Sequence, residues 1–135
     1  MSWQYLHDPE LIEQRSFAQI RQLSDLSRFD DEQAQVAMRL IHTAGDPSLV
    51  QDLHFSPTAL PAGLAAIHDP QRPLLCDVEM VRYGLTRRWL YERAHCFLDH
   101  PQVPALAKSR GETRSMAALE FWPPLLAGSI VVIGN

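Results

Sequence analysis

His42, Arg15, Arg114, Asp77 and Glu79 are side chains of this sequence whose types and settings could do chemistry. His42 lies in the run Arg39-Leu40-Ile41-His42-Thr43-Ala44, which Gly45 and Pro47 bring to an end. A helix stopped there carries His42 in its last turn, where unpaired carbonyls favour a protonated imidazole. Histidine is also the side chain best placed to give up a proton near neutral pH. On the local sequence alone, a histidine that merely caps carbonyls is the commoner case. Asp46 follows four residues later, but the helix stop between the two keeps them from sharing a face by rule. No metal site is expected.

Two arginine-serine pairs, Arg15-Ser16 before Phe17 and Arg114-Ser115, fall on expected helices. Helix N-termini with a neighbouring arginine suit a carboxylate, since N–H donors, dipole and guanidinium all favour an anion. Arginines on helix faces are otherwise mostly solvated. Asp77 and Glu79 alternate along an expected strand and so share a face, either as an acid/base pair or as residues facing water. Cys76 and Cys96 form no CxxC pair and read as buried thiols of a reducing compartment. Walker loops, glycine-rich dinucleotide loops, HExxH and Gly-x-Ser-x-Gly are all missing.

The elements that position these residues are those of a soluble α/β domain. A chain of 135 residues with 46% hydrophobic and 21% charged residues supports a single core, so one domain over 1–135 is expected. A net charge of −4 provides no cationic field for nucleic acid. The N-terminal residues lack the apolar run of a signal peptide, and no segment has the ~20 apolar residues of a membrane helix. A cytoplasmic protein is expected.

Asp8-Pro9-Glu10 opens a first helix of about four turns, and a second runs from Asp30 or Asp31 to Ala44. Ser56-Pro57 opens a third. Residues 73–81 and 94–98 read as strands, as does 129–135, whose β-branched run suits a parallel strand covered on both faces. Helices fill 101–108 and 113–122, the latter broken by Pro123-Pro124. Strands separated by helices predict a three-layer α/β fold with a mainly parallel sheet flanked by helices, its ligands beyond the carboxyl ends of the strands. The residues alone stop at this fold and an anion-friendly pocket.

Eight stretches, in order, resemble the precorrin-8X methylmutase family: 12–17, 25–29, 39–45, 53–57, 75–81, 84–86, 113–120 and 133–135. The resemblance implies a homodimeric isomerase of cobalamin biosynthesis that needs no organic cofactor. Its reaction moves a methyl group from C-11 to C-12 of precorrin-8X, giving hydrogenobyrinic acid or the cobalt-containing equivalent. His42 matches the catalytic histidine and would protonate the macrocycle at a ring nitrogen. The carboxylate-fringed substrate would be met by Arg15, Ser16, Arg114 and Ser115, with Phe17 and Thr43 in contact. Asp77, Glu79 and Met80 would line the floor near Thr86, and Asn135 would begin a substrate loop. Family members usually continue past this point with Ala-Pro-Thr-Ala-Leu and carry an unbroken helix where Pro123-Pro124 stands. A C-terminally shortened methylmutase is therefore expected, and the rival is a catalytically silent relative that binds tetrapyrrole or dimerises.

Overall fold

Asp8 accepts hydrogen bonds from the N–H groups of Glu10 (2.9 Å) and Leu11 (3.4 Å), and the chain turns helical at Pro9. The computed structural model describes residues 5–134. They divide into two compact units, Met1–Leu60 and Pro61–Asn135.

The first unit is helical. Helix α1 covers Pro9–Leu23 and α2 covers Asp31–Ala44. A reciprocal capping box starts α2: Gln33 N–H donates to Asp30 at 2.8 Å, and Asp30 N–H donates to the Gln33 side chain at 3.3 Å. Gly45 ends the helix with φ at 68°, a left-handed conformation natural to glycine. Asp46 then caps a short 3-10 turn, Pro47–Gln51. Ile20, Met38, Ile41 and Val50 form the core, with Phe17 and Phe29 packed against it. Arg28 closes the unit's far loop by donating to the carbonyls of Val50, Gln51 and Leu53.

Helix α3, Ala59–His68, leads into the second unit, where three strands form a parallel sheet: β1 Leu74–Cys76, β2 Ala94–Cys96 and β3 Ile130–Val132. Their order is β2-β1-β3, and Cys76 stands in register with Cys96 and with Val132. Helices α4 Glu79–Tyr83 and α5 Arg88–Tyr91 connect β1 to β2. Helices α6 Val103–Arg110 and α7 Arg114–Ala118 lie between β2 and β3. This is the expected α/β class with a parallel sheet. Leu74, Cys76 and Ala94 centre one core cluster, and Val103, Ala107, Ala117 and Ala118 another. The Arg93 guanidinium ties the end of α3 to the loop feeding β1, donating to the carbonyls of Ala66, Ile67, Asp69 and Arg72.

Three expectations need correction. The strand expected over 73–81 ends at Cys76, because its neighbours stop at Cys96 and Val132; Glu79 then begins a helix. Strand β3 is not covered on both faces: it lies at the sheet edge with Val131 43% exposed, and the fully buried strand is β1. The helix expected over 113–122 is shorter, since α7 ends at Ala118 ahead of Pro123-Pro124, and the chain goes on through 3-10 turns at Leu119–Phe121 and Pro123–Leu125. Proline is harmless in the first positions of such a turn, where its missing N–H would have no partner. Among the described residues no helix is long and apolar enough to cross a membrane.

Candidate active site

In the first unit, α1 and α2 bring Ser16 and His42 together across 26 residues of sequence. The Ser16 hydroxyl and His42 Nδ1 lie 2.9 Å apart in a hydrogen bond. The buried contacts that fix this approach are near neighbours in each helix: Ile20 one turn beyond Ser16, and Met38 and Ile41 beside His42. The Phe17 ring stands 5.3 Å from the imidazole, tilted by 43°. His42 occupies the last turn of α2, exposed, at the wall of a cavity of about 310 Å³ that Ser16, Gln19, Leu23 and Ile41 also line. An accessible imidazole at a helix end beside a cavity is a proton donor's position.

The neighbouring residues divide. Thr43 turns its hydroxyl back to the Arg39 carbonyl at 2.8 Å, so its donor serves α2 itself. Arg15 is exposed, and as the residue next to Ser16 it leaves α1 about 100° around the axis. Sequence reasoning missed two participants. Gln19 lines the cavity one turn beyond Ser16, a spacing legible once Ser16 is chosen. Arg39, one turn before His42, lies 5.4 Å over the Phe17 ring and pairs with Glu13 at 3.3 Å.

In the second unit, the strand order reverses at β1, where the chain first goes to β2 and then returns past β1 to β3. The carboxyl ends of β1 and β3 flank that switch, the usual place for a crevice in an open parallel sheet. Asp77 and Gly134 stand there. Asp77 is buried and accepts the Gly134 N–H at 3.0 Å. A Cβ at Gly134 would fall 2.1 Å from Val81 Cγ2, so only glycine allows this approach.

Glu79 does not share a strand face with Asp77, as alternation predicted. It opens α4 and pairs with Arg82 at 3.3 Å, while Arg82 Nε donates to the Ala94 carbonyl at 3.0 Å. Met80 is 75% exposed, and Thr86 is exposed in the loop between α4 and α5. Arg114 and Ser115 begin α7, with Arg114 exposed and Ser115 half-buried. The helix has only five residues, and Thr113 already takes the Met116 N–H at 3.2 Å. Its usefulness to an anion therefore rests on the Arg114 guanidinium rather than on a helix dipole. Asn135 lies outside the described residues.

Among the described residues no cluster of three His, Cys, Asp or Glu side chains could hold a metal ion. Asp46 is engaged by Ser48, whose hydroxyl and backbone N–H donate to it at 2.7 and 2.8 Å and hold its carboxyl below the usual range. Burial pushes the Cys76 and Cys96 thiols up, Cys76 with further help from Cys96 and Asp77. Such thiols are poor nucleophiles.

A sequence profile of the precorrin-8X methylmutase family matches residues 11–135. The chain is 44% identical to precorrin-8X methylmutase of a Sinorhizobium species over 135 residues, spanning 98% of this chain and 64% of the relative. It is also 44% identical to the enzyme of that name from Pseudomonas aeruginosa, spanning 97% of this chain and 64% of the relative. The solved structure of a precorrin-8X methylmutase from Thermus thermophilus superposes with a TM-score of 0.75 at 31% identity, covering 93% of this chain and 62% of that one. The chain thus spans just under two thirds of the length of these relatives.

Proposed function

The chain belongs to the precorrin-8X methylmutase family, and from that premise we propose that it is an isomerase of cobalamin biosynthesis. It moves the methyl group of precorrin-8X from C-11 to C-12, giving hydrogenobyrinic acid or, in the cobalt-bearing series, its counterpart. The observation that carries this reading is His42: a helix-end imidazole, bonded to Ser16, at the wall of a cavity. It delivers a proton to a ring nitrogen of the macrocycle, which draws electrons from the adjoining carbon framework and eases the migration. General acid catalysis of this kind supplies about 10²–10⁴-fold in rate.

Arg15, Ser16, Phe17 and Thr43 in the first unit are substrate-binding residues in this reading. So are Asp77, Glu79, Met80, Thr86, Arg114 and Ser115 in the second, and Asn135. The arginines meet the substrate's carboxylates, for which a guanidinium supplies paired donors. The 135 residues act as one methylmutase domain in a cytoplasmic homodimer, without an organic cofactor.

The test is a titration of the chain with hydrogenobyrinic acid, read in the visible spectrum, followed by turnover of precorrin-8X. His42→Ala should lose about 10²–10⁴-fold in turnover while binding persists. Equal loss of binding and turnover would remove the acid role. A chain that binds the product with a shifted spectrum yet never turns over would instead be a silent tetrapyrrole-binding relative.

A further inference from the structure

We propose that Ser16 is a positioning residue for His42, its oxygen accepting the Nδ1–H so that Nε2 alone exchanges the proton with substrate. The inference rests on the acid role of His42. The 2.9 Å contact joins residues whose helical neighbours, Ile20, Met38 and Ile41, are buried in one core, so their backbones meet in a fixed register. The tilted Phe17 ring, 5.3 Å away, packs beside the imidazole and limits its swivelling.

The direction of the bond follows from the proton's path. The imidazolium carries hydrogens on both nitrogens, and when Nε2 passes its proton to a substrate nitrogen, one N–H bond breaks and another forms. The ring left behind is neutral and keeps its hydrogen on Nδ1. A hydroxyl oxygen accepting from Nδ1–H serves the ring before and after transfer without rearranging. Its own hydrogen remains for water or for the carbonyl four residues back in α1. Nε2 then recovers its proton once the methyl group has moved. The neutral form so imposed is the Nδ1–H tautomer, opposite to the one a free histidine side chain prefers.

That opposition makes the experiment decisive. The chain is labelled with nitrogen-15, and the His42 ring is read by long-range proton–nitrogen correlation, well above the ordinary histidine range and so in its neutral state. His42→Ala assigns the signals. Wild type and Ser16→Thr should show Nδ1–H, and Ser16→Ala should revert towards Nε2–H. In turnover, Ser16→Ala should lower kcat about tenfold or more, whatever rise in KM its substrate contact adds, and Ser16→Thr should restore most of the kcat loss. An Nε2–H ring in wild type, a tautomer unmoved in Ser16→Ala, or a loss confined to KM would overturn the positioning role and leave the acid reading standing. Full turnover by His42→Ala would overturn both.

Discussion

A proton donor has to be reachable when its substrate arrives and anchored enough to point at it. In the proposed function His42 is that donor, with its ring exposed and one nitrogen hydrogen-bonded to Ser16. Arg15 and Arg114 are exposed cations, and the proposed function gives them a simpler task. Each should contribute a solvent-screened attraction, so Arg15→Ala or Arg114→Ala should weaken hydrogenobyrinic acid binding about two- to fivefold at low salt. The difference from wild type should shrink as salt is added, because screening weakens the attraction that wild type has and the variant lacks. Titrations at two ionic strengths check this, and unchanged affinity in both variants would remove them from the site. At this scale the helix end that carries His42 was legible, since a glycine and a proline behind it mark it. The sequence could not reveal the Ser16 contact or Arg39 over Phe17, which depend on how two helices meet.

Helices here were legible wherever capping was chemical. Asp30, Gln33 and Gly45 bound α2 at the ends the residues predict. Removing the cap by Asp30→Ala should cost about 1 kcal/mol in a urea melt. Strand lengths were not legible, because a strand ends where its partners end, and that is a property of the sheet. The run from Pro73 to Val81 reads as extended throughout, yet its bonds to neighbouring strands reach only from Pro73 to Asp77. The apolar run at 129–135 likewise hid an edge strand, since β-branched residues suit edge and centre alike. Gly134 gives a sharper test of the crevice at the switch point. Gly134→Ala should destabilise the fold by about 1–3 kcal/mol through its clash with Val81. Adding Val81→Ala should recover part of that loss, whereas strictly additive costs would deny the contact.

For the molecule as a whole, the paired thiols couple stability to alkaline pH. Cys76 and Cys96 stand in register on adjacent strands, and burial raises both above the ordinary value of 9.0. The folded state therefore holds these protons more tightly than the unfolded chain does. That contribution is fully present below pH 9.0 and is lost as pH rises through the folded values. Urea midpoints should fall between neutral pH and the far side of that range, and Cys96→Ala should flatten the decline. A thiol reagent at neutral pH should modify the native chain slowly and the unfolded chain quickly. Reaction at equal rates would show that the thiols are not sheltered.

Arg93 has a consequence in time. Its guanidinium supplies partners for the carbonyls of Ala66 and Ile67 at the end of α3 and of Asp69 and Arg72 in the turn after it, all made more than twenty residues earlier in synthesis. While the chain is being made, that turn leaves the ribosome before the side chain that will hold it. The turn's own bonds to Asp69 can form at once, but the four carbonyls gain their guanidinium partner only when residue 93 follows them out. Nascent chains arrested just before and just after that point should differ in protease cleavage at 69–73, and identical cleavage would show that the turn sets itself.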